Sequence, residues 1–209
     1  MSTNYIITIG RKCGSGGREI GELIAKKLGI DFYDKEILTH ASEISGIRIK
    51  HFEKNDEKRP SSLLYSIATN SYNTYNYHSQ PITDTIASKV TSAQAEAIRR
   101  LAEKSSCVMV GRCADYWLRD LENRVSVFIT ADEKTCVKNI MERYGKNEKD
   151  ALEIVRKNDK DRSVYYNSQT DRKWGHSDHY DLCIDTSRIS KECAADLIIE
   201  YLKDIGLID

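Results

Sequence analysis

The segment Tyr5-Ile-Ile-Thr-Ile9 runs directly into Gly10-Arg-Lys-Cys-Gly14-Ser-Gly16-Gly17-Arg18-Glu-Ile-Gly21, so a short apolar run feeds a glycine-rich turn and then an amphipathic helix. A strand that ends in glycines and restarts as a helix gathers free backbone N–H groups and the positive end of a helix dipole at one point, where an anion is favoured. The pattern departs from the phosphate-loop signature G-x-x-x-x-G-K-[ST], whose lysine reaches phosphates and whose hydroxyl reaches Mg²⁺. With Gly16 as the last glycine of that signature, Gly17 and Arg18 stand at the Lys-[ST] positions and Arg11 falls on the first glycine. Arg11, Lys12 and Arg18 are candidates to supply the missing charge, the alternative for each being a solvated cation beside a turn. A dinucleotide fingerprint, G-x-G-x-x-G, fits poorly, because its third glycine position, counted from Gly14, holds Glu19.

Apolar runs and helical periodicities alternate along the whole chain, which predicts an α/β fold with a parallel sheet. Strands are expected at Tyr5 to Ile9, Ile30 to Tyr33, Cys107 to Val110, Val125 to Thr130 and Leu182 to Asp185. Helices are expected at Gly17 to Leu28, closed by Gly29, and at about 35–45, 85–104, 115–119, 132–144, 148–166 and from there to a last helix ending near Asp204. Asp132 is placed to cap its helix. From Gly46 to about Thr83 the periodicity fails, in a stretch with both prolines, a charge-rich patch at Lys50 to Arg59 and a tyrosine-rich run from Asn70 to His78. A long irregular stretch in a compact domain reads as a substrate-facing insert or a solvated loop, with a short helix expected at Pro60 to Ala68.

Length favours a single domain. Thirty-two basic residues balance thirty-two acidic ones, which leaves no net field for a nucleic acid, although a local cationic cleft for a small phosphate ester remains open. No run approaches the roughly eighteen apolar residues of a membrane span, and the first strand begins without an apolar leader, so a soluble, cytoplasmic protein with no membrane partner is expected. The six cysteines form no C-x-x-C pair and the histidines do not cluster, so no metal ligands are expected. Cys107 and Cys183 read as buried small hydrophobes, whereas Cys13 lies in the glycine turn near a helix N-terminus, where a thiolate is favoured.

Three further groups can carry chemistry. Asp34 and Lys35 follow the second strand, at the carboxyl edge where open parallel sheets bind ligands, and Asp34 reads equally as a helix N-cap. Arg112 in Gly111-Arg-Cys-Ala-Asp115 follows the third strand with a donor fork matched to a phosphate, while Asp115 reads as structural. Arg156, Asp159 and Arg162 lie at i, i+3 and i+6 of one helix and can face a cleft together, or form a solvated charged face.

Taken in order, Ile7-Thr-Ile9 with Gly14-Ser-Gly-Gly-Arg-Glu-Ile20, Phe32-Tyr-Asp-Lys-Glu36, Val110-Gly-Arg-Cys-Ala-Asp-Tyr116, Asp159-Lys-Asp-Arg162 with Tyr165-Tyr166, and Tyr180-Asp-Leu-Cys-Ile-Asp-Thr186 resemble the cytidylate kinase-like family of P-loop nucleoside monophosphate kinases. The resemblance implies a three-layer fold, a five-stranded parallel sheet with helices on both faces, with a monophosphate-binding insert at 46–83 and a lid at 150–178. It implies ATP-dependent phosphoryl transfer to a nucleoside monophosphate, CMP or dCMP first, with Mg²⁺ held mainly by the nucleotide phosphates. The loop from Arg11 through Lys12, Cys13, Gly14, Ser15, Gly16 and Gly17 to Arg18 would bind nucleotide. Asp34, Lys35, Arg112, Asp159 and Arg162 would serve the acceptor, and Arg18, Arg112 and Arg162 the transferring phosphate. Cys113 stands where the family has the aspartate of Gly-Arg-Asp. The rival expectations are a nucleotide-sensing protein with a degenerate loop and a kinase of another small metabolite.

Overall fold

The computed structural model describes residues 4–57 and 86–209. Five strands form one parallel sheet in the order β2-β3-β1-β4-β5: β1 (Ile6–Arg11), β2 (Asp31–Tyr33), β3 (Cys107–Val110), β4 (Arg124–Thr130) and β5 (Leu182–Asp185). β1 lies at the centre, and its first four residues are buried, as both faces of a central parallel strand must be.

The helices are α1 (Gly17–Leu28), α2 (Glu36–Ser45), α3 (Ile49–Asn55), α4 (Ile86–Lys104), α5 (Ala114–Trp117), α6 (Glu133–Tyr144), α7 (Glu148–Gln169) and α8 (Lys191–Asp204). Alternation along each strand sorts side chains between two layers. Ile7, Ile9, Val108 and Val110 pack with Ile20 and Ile24 of α1 and Ile198 and Leu202 of α8. Ile6, Cys107 and Met109 pack on the other face with Ile37 of α2 and Ile98 and Leu101 of α4. A third cluster joins α6 and α7 beside the glycine turn, through Val137, Ile140, Ala151 and Val155 around Cys13 and Cys136.

Two of the expected caps form. Gly29 closes α1 in the left-handed conformation and the Asp132 side chain accepts the Thr135 N–H. Three expectations need correction. The opening of the irregular stretch is a helix: α3 docks on α2 and α4 through Phe52, which is fully buried, and at seven residues it is too short to show a periodicity. Cys183 is exposed, because β5 is an edge strand whose alternate positions face away from the core. α5 is a single turn at Ala114–Trp117 in place of a helix at 115–119. The expected helix at Pro60 to Ala68 and the tyrosine-rich run lie outside the described residues.

Ile24, fully buried between α1 and the sheet, reports on this packing. Ile24→Ala is expected to lower unfolding free energy by about 2–5 kcal/mol in urea titrations. A loss under about 1 kcal/mol would mean that α1 is not seated on the sheet as described.

Candidate active site

The parallel sheet brings the carboxyl ends of β1, β2 and β3 side by side, and a cavity of about 1000 Å³ opens there between the glycine turn, Asp34, Asp56, Glu57, Arg112 and the face of α7 that carries Arg162. The turn itself is built from its carbonyls outward. Gly14 and Gly16 have φ of 81° and 83°, and any side chain at Gly14 would strike the Cys136 backbone. The Asn139 amide donates to the Gly14 carbonyl at 2.7 Å and the Thr186 hydroxyl to that of Ser15 at 2.8 Å, while the Ser15 hydroxyl donates to the Lys12 carbonyl at 2.9 Å. With these carbonyls engaged, the Cys13 N–H donates to Asp159 Oδ1 at 2.6 Å. A carboxylate thus occupies a donor of the turn, on the neighbour helix α7.

The second centre is Glu57. Its Oε1 accepts from Arg11 Nη1 at 2.6 Å and from the Arg112 N–H at 2.9 Å, and its Oε2 accepts from Arg162 Nε at 3.2 Å. Burial pushes the Glu57 carboxyl up, but Arg11, Arg162 and Arg112 overcome it and hold the group well below the usual carboxylate range. The segment that offers the Arg112 N–H is unusual: Gly111, Arg112 and Cys113 have φ of 77°, 53° and 58°, a left-handed run that costs each non-glycine residue about 1–2 kcal/mol. Such strain persists where surrounding contacts over-determine it.

The Arg112 side chain, buried to 2% exposure, runs beneath the cavity, with Nη1 donating to Asp34 Oδ1 at 2.8 Å and Nη2 to Asp56 Oδ2 at 3.0 Å. Burial alone would lower its affinity for a proton; the three carboxylates Asp56, Glu57 and Asp34 raise it instead, so it stays a cation. Asp34 also accepts from Arg18 Nε at 2.9 Å. Burial raises its carboxyl and the two arginines bring it down, for a net value below the ordinary one. Asp56, with only Arg112 beside it as a bonded cation, is left with its carboxyl raised by burial. Asp34 therefore acts as the anchor of two arginines; the residue that begins α2 at its cap is Lys35.

The expected residues thus converge with one exception. Arg11, Lys12, Cys13, Gly14, Gly16, Gly17, Arg18, Asp34, Lys35, Arg112 and Arg162 all line the cavity, and Asp159 reaches it through the Cys13 N–H. Ser15 is buried and braces the turn. Arg156 does not converge: it lies on the outer face of α7, paired with Glu133 at 2.9 Å, because three residues per step drift around a helix of 3.6 per turn. Asp115 is structural as expected, buried and accepting from the Tyr166 hydroxyl at 2.6 Å. Cys113 is buried with its thiol pushed well up by burial, so it offers no thiolate. Cys13 is buried as well, and its sulfur accepts from Asn158 Nδ2 at 3.5 Å.

Sequence reasoning missed Asp56, Glu57, Lys157, Asn158 and Arg143. The charge-rich patch at Lys50 to Arg59 contained the first two, without a period or motif to single them out. The side chains of Lys12, Lys35 and Lys157 line the cavity and make no hydrogen bond or ion pair with another described residue.

A model of the cytidylate kinase-like family matches residues 6–188. Among solved structures, an uncharacterized protein from Eubacterium ventriosum ATCC 27560 is 33% identical with a TM-score of 0.68, over 96% of this chain and 99% of that one. Shikimate kinase from Bacteroides thetaiotaomicron superposes at a TM-score of 0.52 and 13% identity, over 95% and 98% of the two chains. Shikimate kinase from Acinetobacter baumannii in complex with shikimate gives 0.52 and 12%, over 99% and 97%. These two likenesses establish a shared fold. No functionally curated protein matches. No helix among the described residues is long and apolar enough to cross a membrane. With the loop, the sheet order and the family match in agreement, the chain belongs to the cytidylate kinase-like family, which supports phosphotransfer in general terms.

Proposed function

We propose that the chain is an ATP-dependent phosphotransferase acting on a nucleoside monophosphate, CMP or dCMP first, in the cavity between the glycine turn, residues 56–57 and α7. The observation that carries this reading is that two of the protein's own carboxylates already sit on phosphate-type donors: Asp159 on the Cys13 N–H, and Glu57 between Arg11, Arg162 and the Arg112 N–H. One position adjoins the turn, where donor phosphates would lie, and the other lies between the turn and the end of β3, where the transferring phosphate would pass to the acceptor. Eight Lys and Arg side chains against five Asp and Glu line the cavity, in a chain whose total charge is balanced. That local excess suits polyanionic ligands.

Phosphoryl transfer asks a protein mainly for positioning and for positive charge around the transferring group. The glycine turn would hold the donor phosphates, with Lys12 beside them. Arg162, together with Arg18, would neutralise charge as an acceptor phosphate oxygen bonds to the γ-phosphorus and the bridging oxygen leaves with ADP. Asp34, Lys35, Arg112 and Asp159 would form the acceptor side, Arg112 chiefly through its N–H, since its Nη atoms hold Asp34 and Asp56. Residues 46–83 would form the acceptor insert, whose described end delivers Asp56 and Glu57, and 150–178 the lid, carried by α7. Arg18 stands at the place of a metal-binding hydroxyl, and no group of three His, Cys, Asp or Glu suited to a metal occurs among the described residues. Mg²⁺ therefore fits as a companion of the nucleotide phosphates and their waters, where it would neutralise phosphate charge. The protein would work in the cytoplasm with small-molecule nucleotides.

A second reading, a nucleotide-binding or sensing protein without turnover, is favoured by Gly17 and Arg18 in place of Lys-[ST]. A kinase of another small metabolite is a variant of the first.

ATP consumption by the purified protein with Mg²⁺, assayed against a panel of nucleoside monophosphates with product identification, separates these readings. Turnover with CMP or dCMP is expected, and Arg162→Ala should reduce it by roughly two to four orders of magnitude. Nucleotide binding with silence across the panel would favour the sensor.

The charge on Glu57 can be read through pH. Its folded value lies below its ordinary 4.5, so its contribution to stability is complete above that value and is lost as pH falls through the folded value. Glu57→Gln should cost about 2 kcal/mol at pH 7. The gap from the unmodified protein, followed by denaturant titration, should narrow steadily as the solution is acidified below about pH 4.5. A gap independent of pH would mean that Glu57 is not held as an anion.

A further inference from the structure

Two departures from the phosphate-loop signature turn out to be one. The signature has glycine at its first position and lysine at its seventh, whereas this chain has Arg11 at the first and Gly17 at the seventh. A Cβ built on Gly17 would stand 2.5 Å from Arg11 Cβ and 3.1 Å from Arg11 Cγ, so the two positions cannot both carry side chains on this backbone. Gly17 opens α1 without a left-handed φ, so its backbone conformation does not demand glycine. The Arg11 side chain demands it. At the other end of that side chain, a Cβ on Gly111 would collide with Arg11 Nη1 and with Glu57 Oε1. Gly17 therefore clears the root of one arginine, while Gly111, which its φ of 77° already reserves for glycine, leaves room at its head.

We infer that Arg11 is the phosphate-contacting cation of this loop, delivering from β1 the charge that a lysine at position 17 would deliver from α1. The inference rests on the nucleotide-binding reading above and assigns, of the two loop arginines Arg11 and Arg18, the one that takes the lysine's place. Arg18 is the weaker claimant because it is tied to Asp34 and to Glu22 at 2.7 Å, and its side chain is 47% exposed. Arg11 is nearly enclosed at 12% exposure, and in the resting protein its guanidinium already holds an anion, Glu57 Oε1, at 2.6 Å. The Arg112 N–H converges on that same oxygen, and Arg162 Nε on the other. A phosphoryl oxygen that displaces the Glu57 carboxylate would inherit donors from three segments of the chain. The charge enters from the β3 side of the turn, between the donor and acceptor halves of the cavity.

The test is the exchange itself, made in the full chain and read by ATP affinity, by calorimetry or fluorescent-nucleotide displacement, alongside melting temperature. Arg11→Met should bind ATP at least about tenfold more weakly. Gly17→Ala and Gly17→Lys should each lower the melting temperature, and by less when made in an Arg11→Gly background, a comparison drawn against Arg11→Gly alone because that variant also loses the ion pair with Glu57. The double variant Arg11→Gly/Gly17→Lys, which recreates the usual loop, should regain most of the ATP affinity that Gly17→Lys loses. A folded Arg11→Met variant that binds ATP as tightly as the unmodified protein would overturn the inference while leaving the nucleotide reading intact. Gly17→Ala melting no lower than the unmodified protein would overturn it on steric grounds. Failure of the unmodified protein to bind any nucleotide would remove both together. ATP binding that depends on Arg11, with no turnover on any acceptor, would uphold the inference and assign the site to a sensor.

Discussion

A carboxylate taken out of water must find cations and donors, and Glu57 finds them on three different segments. Arg11 comes from the end of β1, the Arg112 N–H from the turn after β3, and Arg162 from α7, while Glu57 itself follows α3. The ion cluster adds a charged tie among the ends of β1 and β3, residue 57 and α7, where Cys113 also packs against Tyr165 and Tyr166 of α7. The left-handed run at 111–113 is intelligible on the same basis. A conventional turn would aim the Arg112 N–H elsewhere, and the strain of two non-glycine residues is offset by a charge-assisted hydrogen bond and by the buried pairs with Asp34 and Asp56.

The cluster also explains why the cavity holds so many arginines without being simply cationic. Arg18 and Arg112 are each committed to carboxylates that the chain supplies, so their guanidinium groups form a rigid floor of alternating charge. The lysines at 12, 35 and 157 carry no such commitment among the described residues. A ligand phosphate would meet two kinds of cation, fixed arginines that set geometry and lysines that adapt to it.

The sheet was largely legible in the sequence because a central parallel strand is apolar on both faces, and the runs at Ile6 to Ile9 and Cys107 to Val110 cannot be mistaken for loops. The site was legible where a motif ties chemistry to a strand end, as at Asp34 and Arg112. It was opaque at Glu57 and Asp56, which stand among many charges, and no local pattern distinguishes a glutamate that will be caged from one that will be solvated. Arg156 illustrates the converse error. It shares a spacing with Asp159 and Arg162, but spacing fixes a face only to within the drift of the helix, and Arg156 lands on the outside with Glu133. Cys183 was misread for a related reason, since an edge strand and a central strand of four residues look alike until the sheet order is known.

The choice of arginine at position 11 follows from the same burial that encloses the site. Desolvation lowers the proton affinity of Arg11, and the neighbouring Arg162 and Arg112 lower it further, with Glu57 opposing them. A lysine in that position, with an ordinary pKa of about 10.4, would be exposed to neutralisation whenever Glu57 moved away and left three cations facing one another. Guanidinium remains charged through such a change and has donors enough to follow a departing carboxylate with an arriving phosphate. A loop whose cation comes from the strand therefore requires arginine more strictly than a loop whose cation comes from the helix, and it requires glycine at the place the cation has left.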